Sequence, residues 1–423
     1  MQKNLSLKDS NIFIKLIFFI FSFYPITFLI GNLAINLASI LIFIFLALGL
    51  ITKKIEINFK DKILFLLIFL FICLLVNLYF SQNFNFSLPR VIKFLIIIGF
   101  VFAFRAILNN LNNQEINRLF KTWFFIFLVV LGDLIFEIMF GFNILGQKSI
   151  IPGRLTSFTG NEMVIGHFFF AFCLFVLSFI YKNYNQVFIK TFVPLLFVII
   201  SFLIGERSNF IKTFIIISLF IFFIYDINIK YKISFILISI LFFTLFINLN
   251  PYYKTRYFNQ IKVIFKDDGL NKYLRESKYG AHYKVAKEIF KNYPVFGVGI
   301  KNFRIESYNE KYKGILNSDD FKSPYNNWTG GTVHPHQIHY ELLSETGLFG
   351  YLTFFLVIIL SIYYSFRSFL LNKNLYQFSA ILFVCISFLP FIPTGSFFST
   401  YSAGLFWINY SIMVGYIGNE IKF

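Results

Sequence analysis

The chain has 423 residues, 57% of them hydrophobic and only 14% charged, against about 25% charged in an ordinary soluble domain. A soluble core cannot absorb that much apolar surface, which excludes a soluble globular domain. The net charge of +18 would point to nucleic acid in a soluble chain. Here the Lys and Arg residues gather in short connections between hydrophobic runs, so they read as membrane topology signals and no nucleic-acid partner is expected.

Hydrophobic runs of about 17 to 25 residues recur, each long enough to cross a hydrocarbon core of about 30 Å as a helix. Ile63 to Phe80 and Ile233 to Phe246 are apolar all round rather than alternating, which disfavours a barrel. The expected fold is therefore all-α, a polytopic membrane helix bundle. Its twelve spans fall at about 12–30, 33–51, 63–80, 91–108, 122–140, 163–181, 188–204, 210–228, 232–250, 347–366, 376–394 and 402–418. The first run follows Lys3, Lys8 and Lys15, lacks a small-residue cleavage site and leads into a second span, so it reads as a retained helix. Cys73, Cys173 and Cys385 all lie in apolar runs and imply neither a disulfide framework nor a thiolate metal site.

With the N-terminus in the cytoplasm, the cytoplasmic connections hold Lys53, Lys54, Lys60 and Lys62, then Arg105, Arg118 and Lys121, then Lys182, Lys230, Lys232, Arg367 and Lys373. That satisfies the positive-inside rule. It places both termini in the cytoplasm and divides the chain into helices over 1–250, one large outer loop over 251–346, and helices over 347–423. Arg90 with Lys93, Arg154, and Arg207 with Lys212 are exceptions, since they fall at the outer ends of spans. Cations there snorkel or meet an anion, and their recurrence in three separate connections points to an anionic ligand. Asp133 and Glu137 share a helix face at i, i+4 and are read as a structural pair, a proton path or partners for one of these arginines.

The outer segment opens with Tyr252, Tyr253, Lys254 and Arg256 and continues through charged helical stretches. Ser277 to Lys291 reads as an amphipathic helix, with Tyr283, Ala286, Ile289 and Phe290 on one side. Gly297 to Phe303, GVGIKNF, is a glycine turn without the Gly-Lys-Ser/Thr of a phosphate loop. The densest chemical signal is Thr332-Val333-His334-Pro335-His336, followed by His339 and a helical run. His336 and His339 at i, i+3 would share a helix face, yet no third ligand has a matching spacing, so no metal is expected. An imidazole beside a reacting hydroxyl can act as a general base.

HQIHYELLSETGLFG, residues 336–350, resembles the H-N-x-x-L-x-x-L-x-E-x-G helix of the O-antigen ligase and polymerase superfamily. Pro294 to Gly299 with Asn302 and Phe303 is similar to that family's P-x-x-G-x-G-x-x-N-F turn. GERSNF (205–210) and GRLTSFTGNE (153–162) resemble its arginine-bearing outer segments, while Gln337, His339 and Tyr340 depart from the pattern. The resemblance implies a fold like the GT-C glycosyltransferases and a periplasmic active site in the bacterial inner membrane. It implies glycan transfer from undecaprenyl diphosphate to a lipid A-core hydroxyl, with neither cofactor nor metal and with inversion at the anomeric carbon. His336 would be the base and Arg207 the main phosphate contact. Arg154, Arg90, Arg304, His282, His334, His339, Glu162 and Glu206 would bind or position substrate. A polymerase joining lipid-linked repeats, with a glycan acceptor, is the alternative within the family. A twelve-helix secondary transporter is the alternative from another class, but no repeat relates the two halves.

Overall fold

The computed structural model describes residues 5–417 apart from 59, 224–227, 260–261, 263–268, 270–276 and 313–330. The charged stretch expected to be helical between Arg256 and Ser277 falls largely outside the described residues. Within them no strand forms. The helices that carry the fold are α1 (Ile12–Ile30), α2 (Asn32–Ile51), α3 (Lys62–Tyr79), α4 (Phe84–Asn110), α5 (Asn113–Phe140), α6 (Ile165–Asn183), α7 (Val187–Leu203), α8 (Arg207–Phe223), α9 (Ile229–Leu249), α10 (Lys278–Asn292), α11 (Ile338–Asn372), α12 (Leu375–Ser387) and α13 (Thr400–Gly415). The first six, α9 and α11 are long and apolar enough to cross a membrane, and α7 and α12 are shorter apolar helices. With α8 and α13 they occupy all twelve positions expected of spans, so the chain is a polytopic membrane helical protein.

The helices begin where a short polar side chain can accept the free amides of a first turn. Asn11 does so for α1, Asp61 for α3, Asn83 for α4, Asn112 for α5 and Asn374 for α12. Hydropathy is blind to such caps, and the bounds differ from expectation where they act. α4 starts at Phe84 rather than 91, so Arg90 and Lys93 lie inside a helix instead of at its outer end. α12 stops at Ser387, short of the expected 394, and leaves 388–399 as a connection.

α6 lies at the centre, buried along nearly its whole length, with α5, α8 and α12 packed against it. Phenyl rings fill this interior. Trp123 meets Phe172 and Phe175 at centroid distances of 5.3 and 5.4 Å and donates its indole N–H to the Phe21 carbonyl. α9 is peripheral, with Lys232, Phe235 and Ser239 as its buried residues.

The connections alternate between two ends. At one, Leu5 bonds to Asn110 and Asn112, Asp61 pairs with Arg105, and Ser368 meets Tyr416. At the other, here the loop end, Gln82 bonds to Val298, Leu155 to Ile204 and Lys301 to Ser396. Asp133 and Glu137 stabilise this second end. Asp133 accepts from the Ile144 amide and the Ser157 hydroxyl, and Glu137 accepts from Thr156 and the Ser157 amide. Their partners are backbone and hydroxyl groups of the 141–162 connection, not arginines, so the pair is structural.

Candidate functional site

The site is built on a backbone lock between the glycine turn and α11. α11 breaks at Gly347, where φ is +64° and ψ is −171°. The Val298 and Gly299 amides donate to the Ser344 and Glu345 carbonyls, and the Leu348 and Phe349 amides donate to Pro294 and Val295. Gly297 has φ +68°, and a Cβ there would stand 2.6 Å from both the Glu345 oxygen and the Gly347 nitrogen. Only glycine permits this approach. Asn77 of α3 then donates to the Phe296 and Glu345 carbonyls at 2.6 and 3.0 Å, tying the lock to the bundle. The glycine turn, which lacks the Gly-Lys-Ser/Thr of a phosphate loop, is thus a clamp on α11.

The clamp sets the stretch ahead of α11. Gln337 caps the helix, accepting from the His339 and Tyr340 amides. His336 therefore sits outside the helix, in the left-handed region at φ +58°, and the expected shared face of His336 and His339 does not form. His339 instead turns to Tyr351 and the Phe388 carbonyl, at 3.1 and 2.9 Å from its two ring nitrogens. A non-glycine residue held at positive φ stores backbone strain, a feature that clusters at functional sites. The His336 carbonyl accepts from the Thr394 amide at 2.8 Å, which fastens it to the 388–399 connection.

Three imidazoles converge here. The His334 and His336 ring centroids are 3.9 Å apart, and His282 of α10 lies 5.3 Å from His336. Tyr279 packs edge-on at 5.4 Å. Burial holds His336 below the usual histidine range. Burial also pushes His334 down, to about 2, helped by the charges of His336, Lys301, His282 and Arg304. Both rings are then neutral at physiological pH, and a neutral imidazole nitrogen can take a proton. His334 Nε2 is buried with no hydrogen-bond partner among the described residues, as is Arg304 Nε. The Arg304 guanidinium lies over the Phe86 ring at 5.7 Å.

Beneath the imidazoles runs a buried charged network absent from the sequence reading. Lys301 donates its amide to Glu345 at 2.8 Å and its ammonium to Ser396, whose hydroxyl donates to Glu341 at 2.6 Å. Burial pushes the Lys301 ammonium down, against the pull of Glu341 and Glu345. The Phe397 amide also donates to Glu341, at 2.8 Å. Together these bonds hold the 394–397 stretch against the start of α11, next to His336.

The arginine-bearing segments meet at the same end. Leu155 bonds to Ile204, and Gly205, at φ +77°, lies so close to Gly153 that a side chain would collide with its carbonyl. This interlock brings Arg154 to Glu206 at 3.1 Å, and Arg154 also donates to the Met163 carbonyl at 2.7 Å. Glu206 accepts further from the Gly166 amide and from Asn209, so it positions Arg154. Arg207, half-buried, opens α8 directly after it. Glu162 is exposed. Arg90 is exposed on α4 and lines a cavity with Lys93, within electrostatic reach of Lys301.

Residues 191–355 match the family model described as O-antigen ligase. Over this span the chain is similar to the O-antigen ligase family. No curated protein matches the chain significantly. The matched span runs from α7 to the first turns of α11 beyond Gly347. It holds Glu206, Arg207, His282, Arg304, His334, His336 and His339, while Arg90, Arg154 and Glu162 reach the loop end from outside it. The matched span thus contains the three imidazoles, the glycine clamp and Lys301. Of the residues that sequence reasoning passed over, Glu345 stood in the quoted helix motif and Lys301 in the quoted turn. Ser396 had no signal, because it follows what reads as one continuous span.

Proposed function

We propose that this chain is an O-antigen ligase that moves a glycan from undecaprenyl diphosphate to a hydroxyl of a lipid A-core acceptor. The loop end would face the periplasm of a bacterial inner membrane, with both termini in the cytoplasm and residues 251–346 as the outer unit. The observation that carries this reading is His336, a neutral imidazole at positive φ inside the matched domain. His336 takes the proton of the acceptor hydroxyl as that oxygen bonds to the anomeric carbon. The carbon–oxygen bond to the diphosphate breaks, its electron pair leaves with the phosphate, and a single displacement inverts the carbon. Guanidinium groups offset the charge that develops on the leaving diphosphate, and they are permanently cationic and bidentate. Arg207 is assigned to that role, with Arg154 and Arg90 in support. The step requires no metal. His282 and His334 line the proton-accepting side, with Arg304 next to them.

The test is glycan transfer in cells lacking their own ligase, comparing wild type with His336→Ala and Arg207→Ala at matched membrane levels. Loss of capped lipopolysaccharide with long lipid-linked glycan accumulating supports ligation. Accumulation of single lipid-linked repeats makes the chain a polymerase, and full activity in both variants overturns the site.

A further inference from the structure

Between α6, α8, the start of α11 and the 388–399 connection lies an open cavity. Lys212 of α8, His167 of α6, Thr394 and Ser402 line it. Lys212 is 4% exposed, and its ammonium lies over the Phe170 ring at 5.9 Å. Among the described residues it has no carboxylate and no hydrogen-bond acceptor. A buried ammonium at membrane depth is costly unless an anion meets it. Glu206, which like Lys212 lies within electrostatic reach of His167, is already engaged by Arg154, the Gly166 amide and Asn209. Thr394 Oγ1 is likewise buried without a partner among the described residues. Gly395 keeps the space open, since a Cβ there would stand 2.8 Å from Ser402 Oγ and 3.6 Å from His167 Cε1.

The wall therefore offers an ammonium, an imidazole and two hydroxyls, a set rich in donors. The geometry points to a buried oxyanion subsite, formed by Lys212, His167, Thr394 and Ser402, that takes one phosphoryl or carboxylate group of a substrate. The Thr394 amide bonds to the His336 carbonyl, so a group held here lies beside the reacting segment. The subsite stands on the cavity alone. That its ligand belongs to a glycan donor or acceptor rests on the proposed function. The two sources of such a group are a lipid-linked phosphate and an acidic sugar.

The test uses the purified full chain in phosphatidylcholine nanodiscs, with inorganic phosphate or glucuronate added at constant ionic strength and chloride as control. One or both anions raise the wild-type Tm, by about 3–6 °C at saturation, and neither raises that of Lys212→Met. Stabilisation by phosphate alone assigns the site to a phosphoryl group, and stabilisation by glucuronate assigns it to an acidic sugar. Without added anion, Lys212→Met melts at or above the wild-type temperature, because an unmatched charge has been removed. The subsite is overturned if neither anion stabilises wild type, if the variant responds equally, or if the variant melts lower without anion. His336→Ala keeps the anion response even where it loses transfer, so the two readings fail separately.

Discussion

Around Asp133 and Glu137 all four carboxylate oxygens meet donors from the 141–162 connection. Around the three imidazoles at the same end, His334 Nε2, Arg304 Nε, Glu345 Oε1 and Thr394 Oγ1 are buried with no protein partner among the described residues. Both regions bury polar groups, yet one closes its hydrogen bonds and the other leaves them open. Leaving a buried polar atom unmet costs about 1–3 kcal/mol, and such a cost persists where a ligand offsets it. The satisfied network is structural, and the open one is where chemistry is expected.

That contrast breaks most sharply at His336. His336→Ala should lower transfer by about 100- to 10,000-fold while leaving the membrane level unchanged, and retained transfer would place the chemistry elsewhere. Glu137→Ala should do the reverse. Three donors from Thr156 and Ser157 lose their acceptor, and stability in detergent should fall by about 2–4 kcal/mol, read as a lower Tm. A silent Glu137→Ala would dissolve the distinction. Gly347→Ala sharpens it by loosening the clamp without touching the imidazoles. Its Cβ collides with the Val295 carbonyl at φ +64°, so a loss of about 1–3 kcal/mol should accompany reduced transfer.

A smaller effect is expected from pH. Because burial holds His336 below 6.5, transfer should stay flat from pH 8 to about 6.5 and decline only at more acid values. A fall beginning above pH 7 would mean that the essential imidazole is charged in the working range. Stability has the same sign: folded His334 and His336 resist protons that the unfolded chain binds below 6.5, so the folded state weakens as pH falls. The smallest effect belongs to Lys291→Ala on α10. Its ion pair with Glu288 is half exposed, and its loss should shift stability by less than about 0.5 kcal/mol.

Much of this could be read in advance. The twelve helical positions follow from the length and all-round apolarity of each run, and His336 stood out by the density of imidazole around it. The clamp was visible as a motif but not as a clamp, because the role of Gly297 lies in its distance to Gly347, fifty residues on. The start of α4 was placed late, at 91, because its cap Asn83 and the polar first turns lie outside the hydrophobic run. His339 was grouped with His336 because spacing alone does not show that Gln337 is the cap.

The sequence by itself determined that the chain is a membrane helix bundle with a histidine-bearing segment between two of its helices, since hydrophobic length and local spacing are properties of neighbouring residues. Only the tertiary structure decided which polar groups are satisfied and which are not. Asp133 finds Ser157, Lys301 finds Ser396 and Lys212 finds no acid among the described residues. The partners come from helices far apart in the chain, and whether a buried charge meets one depends on packing that no local pattern encodes.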